Sequence, residues 1–305
     1  MIDALRIGII GAGAVGGWFG GRLAKAGKDV RFLARGKTLE TLRTTGLRLI
    51  DEYGVEEILQ VKAADNWDEL GDVDVILVCT KTLPGQDTFP AVPAGVPIVT
   101  THNSVEVPHL AAEQFGEDNV LPGIIRGFFI HTGPAVVEFR PGPQSLNIGT
   151  FDGRPSELVD KLISDLHDAG LGGEHLPNIW VDIWTKAMFV STFGALGALA
   201  RQPIGYLRTE LRDSFEALIR EAEQVARSHG VPLADDIVEA TLAFGDQQGP
   251  NNTTSMQRDI YDGVANELDA QVGAIRRMGD RVDVDTPLLD LVHGALDGRI
   301  TAGEC

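Results

Sequence analysis

RIGIIGAGAVGGWFGGRLAKAGKDVRFLAR, residues 6–35, is the stretch that decides the fold of the first half of the chain. It opens with an apolar, β-branched run at residues 7–10, which predicts a buried parallel strand. Three glycines follow with the spacing G-x-G-x-x-G, namely Gly11, Gly13 and Gly16. In such a turn the first glycine permits the tight bend, and the second lets a pyrophosphate approach the backbone. The third lets a helix pack close to the strand.

The residues after the turn complete a β-α-β unit. A helix is predicted from about Val15 to Ala26, ending at Gly27, and a second strand from Val30 to Ala34. Because the free N–H groups of a helix N-terminus bind phosphate, Ala14 and Val15 are predicted to bind the cofactor together with the glycines. Glycine-rich turns are common in a chain with 36 glycines, but here strand, turn, helix, stop and strand follow in order. The pattern therefore predicts a dinucleotide-binding site.

The end of the second strand indicates which dinucleotide is bound. Sites selective for NAD usually have Asp or Glu there, which accepts hydrogen bonds from the ribose 2′-OH. This chain has Arg35 and Lys37 instead. An arginine can stack on adenine and pair with a 2′-phosphate, and a nearby lysine adds positive charge. The alternative is that both are ordinary loop cations; the predicted cofactor is NADPH.

Length, charge and cysteine content restrict the function classes. The 305 residues suffice for two domains, and a formal charge of −18 with a pI near 4.7 repels nucleic acid and acidic membranes. Cys79 lies in an apolar run and Cys305 ends the chain, so we expect no disulfide framework. We expect a cytoplasmic protein without nucleic acid, membrane or metal partners. We also expect no signal peptide, and no stretch that reaches the length of a membrane span.

The next apolar runs extend the predicted sheet. Val73–Cys79 (VDVILVC) predicts a second buried parallel strand, and Lys81 follows at its carboxyl end. In such sheets that end faces the cofactor crevice, although a solvated loop lysine is the alternative. Pro97–Thr101 predicts another strand, which leads directly into Asn103. The other elements predicted in this half are a helix at Leu39–Thr44, strands at Leu47–Ile50, Glu57–Val61, Val120–Ile125, Val136–Phe139 and Leu146–Ile148, and a helix at Glu157–Ala169.

Beyond about residue 178 the predicted elements are helices. Ile179–Leu199 is apolar on almost every face, as expected of a central buried helix. Further helices are predicted at Tyr206–His229, at Leu233–Phe244, from Asn251–Ser255 to about Met278, and from Thr286–Pro287 onward. We therefore expect an α/β Rossmann-type doubly wound domain with an antiparallel extension, residues 1–174, followed by an all-α C-terminal domain, residues 175–305. The active site is expected in the cleft between them.

Two polar features stand out in the helical half. Lys186 lies within the apolar run of the central helix, where a charge is costly unless it has a partner or a function. A lysine that snorkels from the helix edge is the alternative. Further on, residues 253–260 (TTSMQRDI) precede Glu267. By themselves these residues are typical of an N-cap run and a charged helix face.

In combination, these motifs resemble the ketopantoate reductase family (2-dehydropantoate 2-reductases) over nearly the whole chain. The family pattern has the glycine turn, an arginine after the second strand, a strand ending in lysine and a strand ending in asparagine. It continues with W-x-K on the first long helix of the C-terminal domain, then S-S-M-x-x-D-I and T-E. The matching residues are Gly11, Gly13, Gly16, Arg35, Lys81, Asn103, Trp184, Lys186, Thr254, Ser255, Met256, Asp259, Ile260 and Glu267.

The resemblance implies NADPH-dependent reduction of a 2-keto acid to a 2-hydroxy acid, with ketopantoate as the first expected substrate. It implies that Lys186 is the general acid that protonates the carbonyl oxygen. It also implies that Asn103 binds both cofactor and substrate, that Ser255 binds the substrate, and that Glu267 completes the catalytic site beside the cofactor. The residues implied for the adenosine side of NADPH are Arg35 and Lys81.

The sequence departs from the family pattern beside the lysine. Where the family usually has two asparagines that hold the pantoate group, this chain has Val190 and Gly194. Both lie on the face of Lys186, at i+4 and i+8, so they are still expected to line the substrate pocket. The loss of two amide groups predicts a more apolar and roomier pocket, which suits bulkier or less hydroxylated 2-keto acids. Ser104 replaces a common glycine, and Thr185 replaces a common basic residue.

A different class of function remains open. The chain could be a dinucleotide-binding protein without turnover, which senses NADP(H) or acts through a partner. The presence of Lys186, Asn103, Ser255 and Glu267 favours the enzyme. A homodimer is expected, since helical second domains of Rossmann reductases often dimerise.

Overall fold

The computed structural model describes residues 4–85 and 89–303. The chain forms two compact units. The first contains most of the chain up to Ile179. The second contains the chain from Trp180 onward and two short segments, one beginning at Thr82 and the other being Asn103–Val107. Asn103 therefore belongs to the second unit although it directly follows a strand region of the first.

One sheet organises the first unit. Its strands are β1 Arg6–Ile10, β2 Asp29–Leu33, β3 Leu47–Ile50, β4 Glu56–Leu59, β5 Lys62–Ala64, β6 Val75–Val78, β7 Ile98–Thr100, β8 Val120–Gly133 and β9 Val136–Ile148. Their spatial order is β4-β3-β9-β8-β7-β6-β1-β2-β5. Strands β5, β2, β1, β6, β7 and β8 are parallel. Numbered along the chain, these six strands have the order 3-2-1-4-5-6 of dinucleotide-binding folds, with the switch point between β1 and β6.

The predicted antiparallel extension is confirmed, but its strands are longer than predicted. Strand β9 pairs antiparallel with β8 and parallel with β3, which pairs antiparallel with β4. The two predicted strands at Val136–Phe139 and Leu146–Ile148 are one strand, and β8 continues to Gly133. Residues 141–144 lie opposite a register shift between Arg126 and Phe128, so the ladder is irregular there and regular pairing resumes on both sides.

Helices of the first unit pack on this sheet, and the packing of the first helix fixes the position of the glycine turn that joins it to β1. They are α1 Ala14–Lys25, α2 Gly36–Thr44, α3 Trp67–Leu70, α4 Val107–Phe115 and α5 Glu157–Asp168, with a short 3₁₀ turn at Glu117–Asn119. Trp18 of α1 is 2% exposed, and its indole N–H donates to Oε1 of Gln144 at 3.0 Å. The Trp18 ring also stacks on Phe139, with ring centroids 5.0 Å apart. These contacts with β9 hold α1 against the sheet.

The second unit is helical, as predicted. It contains α6 Ile179–Ala200, α7 Ile204–Leu207, α8 Arg212–Ser228, α9 Ile237–Asp246, α10 Ser255–Tyr261, α11 Ala274–Asp280, which a π-helical turn at Asp269–Gly273 precedes, and α12 Pro287–Ala302. The helix predicted at Tyr206–His229 is divided between α7 and α8. Trp184 and Met188 of α6 are at most 1% exposed, so this helix forms part of the core.

Helix α6 corrects one expectation about membranes. It has 22 residues with a mean hydropathy of 1.3, and among the described residues it alone is long and apolar enough to cross a membrane. The expectation that no stretch reaches this length was therefore wrong. Because 67% of its most apolar window is buried inside the structure, α6 has the character of a core helix of a globular protein.

The helix predicted to run to about Met278 is interrupted. Thr254 is the N-cap of α10, since its Oγ1 accepts the backbone N–H of Gln257 at 3.1 Å. The helix ends after Tyr261 because Gly263 has a left-handed φ of +64°, which stops helical hydrogen bonding. Glu267 therefore precedes a new helical segment and does not lie on a continuous helix face.

Candidate active site

The glycine turn joins β1 to α1 at the switch point of the sheet. Gly11 has φ +91°, and a Cβ there would lie 3.0 Å from the backbone nitrogen of Thr80, which follows β6. A Cβ on Gly16 would overlap the carbonyl oxygen of Gly11. A Cβ on Gly13 would meet no atom of the described residues within 4 Å. The turn thus needs glycine at two positions for packing, and at the third it opens onto free space.

The start of α1 fits an anionic group at this place. Gly13 is its N-cap, and no side chain of the described residues caps it. The first turn, which begins with Ala14 and Val15, contains no acidic side chain. Uncapped N–H groups and the positive end of the helix dipole bind phosphate. The structure therefore fits the pyrophosphate of a dinucleotide at the predicted residues.

Two cations follow the end of β2. Arg35 is the N-cap residue of α2, and Arg35, Gly36 and Lys37 are all exposed. Within the described residues neither Arg35 nor Lys37 forms an ion pair. Both are therefore available to an anionic ligand beside the position where a ribose-binding acid usually lies.

Lys81 follows β6, the neighbour of β1, and is exposed. The pKa of His131 on β8 is lowered, mainly because the imidazole is partly buried and secondarily because the Lys81 ammonium is near it. The glycine turn, Arg35 and Lys81 all lie just after the carboxyl ends of adjacent parallel strands, β1, β2 and β6. The order of the strands thus brings these predicted cofactor residues to one edge of the sheet.

In the second unit, Lys186 and Asn103 form a direct hydrogen bond. The Lys186 ammonium on α6 donates to Oδ1 of Asn103 at 2.6 Å, and both side chains are half-buried. Two residues earlier on α6, the ring of Trp184 is buried and stacks on His229, with centroids 6.1 Å apart. The short distance is typical of a charge-assisted hydrogen bond. Two predicted site residues that are 83 positions apart in sequence thus form one polar pair.

Beyond Lys186, its face of α6 continues through Val190 and Gly194. The expectation of a roomier pocket at Gly194 was wrong. A Cβ on Gly194 would lie 2.7 Å from Oγ1 of Thr254 and 2.8 Å from Cε of Met256, so α10 fills this space. Protein interiors are close-packed, and a neighbouring side chain occupies the volume that a small residue leaves. The face nonetheless lacks a hydrogen-bonding side chain at both positions.

The remaining motif residues lie on and after α10. Ser255 is the first residue of α10 and is exposed, whereas Ile260 is buried. Asp259 is half-buried. Glu267 is also half-buried, and its Oε1 accepts the backbone N–H of Thr82 at 3.2 Å. Glu267 therefore contacts the segment that follows Lys81 in the chain.

Two buried polar groups in this region were not predicted from the sequence. Glu106 is 3% exposed, and both of its carboxylate oxygens accept hydrogen bonds from arginines, Arg277 and Arg281. A single acid between Val105 and Val107 was the available signal, because a buried charge needs a partner. The second group is His102, which immediately precedes Asn103 and is 7% exposed.

The residues that the structure describes contain no candidate metal-binding cluster and no disulfide. Within residues 4–85 and 89–303, no cluster of three or more His, Cys, Asp or Glu side chains could hold a metal ion. Cys79 is a free thiol, and Cys305 lies outside the described residues.

Comparisons with known proteins match nearly the whole chain. The family profile described as ketopantoate reductase PanE/ApbA matches residues 7–153, and that of the PanE/ApbA C terminal matches residues 178–299. A 2-dehydropantoate 2-reductase from Mesorhizobium japonicum is 27% identical, covering 94% of this chain and 95% of the relative. The uncharacterized oxidoreductase YkpB from Bacillus subtilis is also 27% identical, covering 94% and 96%. A crystal structure of 2-dehydropantoate 2-reductase from Methylococcus capsulatus has a TM-score of 0.87 and 26% identity, with 97% of each chain covered.

Because the imidazole of His102 is buried, we expect the stability of the folded protein to depend on pH. Burial lowers its pKa from 6.5 to about 4, so the unfolded chain binds a proton more readily than the folded one. Stability is therefore lost as pH falls below 6.5, and for this shift the loss reaches about 2 kcal/mol at pH 5. Urea unfolding at pH 7.5 and pH 5 should show this loss in the wild type, with a correspondingly smaller loss in His102→Gln. An imidazole NMR titration of His102 with a midpoint near 6.5 would contradict the prediction.

Proposed function

The chain belongs to the ketopantoate reductase family, and we propose that it reduces a 2-keto acid to the 2-hydroxy acid with NADPH. Ketopantoate is the first candidate substrate and pantoate its product, by analogy with the relatives named 2-dehydropantoate 2-reductase. The principal support is the hydrogen bond of 2.6 Å between the Lys186 ammonium and Asn103.

The chemistry of carbonyl reduction explains why this pair matters. Negative charge develops on the carbonyl oxygen, and an ammonium within hydrogen-bond reach stabilises that charge and supplies the proton. Lys186 holds this proton on Nζ. Asn103 accepts from Lys186 through Oδ1, which orients the ammonium and leaves the amide N–H groups to donate to substrate or cofactor.

The first unit has the features that a dinucleotide requires. NADPH, when bound, supplies the hydride. The open space at Gly13 and the uncapped start of α1 would hold the pyrophosphate. Arg35 would pair with the 2′-phosphate, with Lys37 nearby, and Lys81 would serve the adenosine side. The cations at the end of β2 favour NADPH over NADH.

The other assignments rest on the family resemblance. Ser255, at the exposed start of α10, would hydrogen-bond the substrate. Glu267, which the Thr82 N–H holds, would complete the catalytic site. Residues 1–174 would bind the cofactor, and residues 175–305 would bind the substrate. We also propose a cytoplasmic homodimer on the same basis.

A second candidate is a 2-keto acid whose side chain is apolar. The observation in its favour is the face of α6 beyond Lys186, where Val190 and Gly194 offer no hydrogen bond to a substrate hydroxyl. A substrate hydroxyl left unpaired against this face would lose about 1–3 kcal/mol.

Substitution of Lys186 tests its role as general acid. Lys186→Ala should lower kcat for NADPH oxidation with the preferred keto acid by at least about 100-fold, because the general acid is lost. Absorbance at 340 nm measures turnover, and NADPH fluorescence measures binding, which should be retained. Thr185→Ala, which changes the neighbouring residue on another face of α6, serves as the control. Wild-type binding of NADPH without oxidation across a panel of 2-keto acids would overturn the reductase and favour an NADP(H) sensor.

Substitution of Arg35 tests the choice between NADPH and NADH. Arg35→Ala should weaken NADPH binding by about 10-fold or more, since it removes a charge-assisted contact to the 2′-phosphate. NADH affinity should change little, because NADH lacks that phosphate. Fluorescence titration with both nucleotides gives the ratio, and Arg43→Ala, on the same helix, is the matched control. Equal losses for NADPH and NADH would argue against a 2′-phosphate contact.

Substitution of Val190 separates the two substrate candidates. Ketopantoate and 3,3-dimethyl-2-oxobutanoate differ only in one hydroxyl group, so the ratio of their kcat/KM values isolates its recognition. Val190→Asn should shift this ratio about 10-fold toward ketopantoate, because the amide offers the hydroxyl a partner. Val190→Ala should leave the ratio near that of the wild type. An unchanged ratio in Val190→Asn would show that Val190 does not face the substrate side chain.

A further inference from the structure

A buried ion pair lies three residues after Asn103. Glu106 belongs to the buried segment Asn103–Val107 and is 3% exposed. Nε of Arg277 donates to its Oε2 at 2.9 Å, and Arg281 donates to its Oε1 at 3.0 Å. A buried carboxylate is costly unless it is paired and hydrogen-bonded, so these arginines determine where the segment can lie.

Arg277 also contacts a second segment of the site. Its Nη1 donates to Oδ1 of Asp269 at 2.8 Å, and its Nη2 donates to the Asp269 carbonyl oxygen at 3.2 Å. Asp269 begins the π-helical turn, two residues after Glu267. The ring of His293, 3.7 Å away, and the Arg277 guanidinium hold the pKa of Asp269 well below its usual range. The carboxylate is therefore ionised at neutral pH and remains paired with Arg277.

We propose that Arg277 is a positioning residue, which connects the segment of Asn103 to the segment of Glu267 through Glu106 and Asp269. The planar guanidinium can bind two carboxylates with different nitrogens at fixed angles, which a lysine ammonium does not do. By holding Glu106 it sets the amide of Asn103 against Lys186. The consequence for turnover rests on the proposed function.

The geometry predicts what removal of the guanidinium does. Glu106 keeps Arg281 but loses two contacts to its Oε2, and Asp269 loses its contact to the neighbouring helix. Both segments then gain freedom while Lys186 itself is unchanged. A small displacement of a positioned group costs up to about 100-fold in rate.

The test is a double-mutant cycle on kcat with wild type, Arg277→Ala, Asn103→Ala and the double variant. If Arg277 acts through Asn103, Arg277→Ala should lower kcat by about 10-fold alone and by less than about 2-fold in the Asn103→Ala background. Arg277→Lys should restore part of the activity. Arg220→Ala, which removes an exposed ion pair with Glu216 on α8, is the control and should leave kcat unchanged. Equal effects in both backgrounds would overturn the positioning role.

Hydrogen exchange provides a second measurement that does not require turnover. Amides of residues 103–107 and 264–270 should exchange at least about 10-fold faster in Arg277→Ala than in the wild type, while those of α8 stay unchanged. Unchanged exchange in both segments would overturn the proposal even if the enzyme were active. An inactive wild type would instead overturn the proposed function, and exchange would then decide the role of Arg277 by itself.

Discussion

The ammonium of Lys186 is the constraint on which the second unit depends. It lies on a 22-residue helix that is otherwise almost entirely apolar and mostly buried. Such a charge requires a polar partner at close range, and Asn103 provides it at 2.6 Å. Asn103 belongs to a short segment with a buried charge at Glu106, which is paired with Arg277 and Arg281. Under the positioning role proposed for Arg277, the polar pair depends on these ion pairs.

The sheet imposes a second constraint, which concerns the first unit. Parallel strands end at the same edge, so the residues that follow β1, β2 and β6 lie together although they are distant in sequence. These residues include Arg35 and Lys81, local cations in a chain with a formal charge of −18. Under the proposed function, the local charges and not the overall field of the protein would attract an anionic cofactor.

The packing around Gly194 shows how a substitution beside a site can be misjudged. Replacing a larger side chain by glycine suggests an enlarged pocket. Here Thr254 and Met256 of α10 approach α6 at Gly194 and occupy that space. Because the interior is close-packed, α6 and α10 are in contact at this glycine. The face still lacks hydrogen-bonding groups. If this face lines the proposed substrate site, its polarity affects specificity more than its volume does.

The sequence by itself determined the features that depend on local backbone preference and spacing. These were the β-α-β unit with its glycine turn, the doubly wound class, the apolar core helix and the family resemblance with its list of site residues. The tertiary structure alone decided the long pairing of β8 with β9 across its register shifts, the helix break at Gly263, and the arginine partners of Glu106. The physical reason is that a turn or a helix face is specified by neighbours a few residues away. A buried charge instead finds its partner over 171 positions, and only the folded chain brings such groups together.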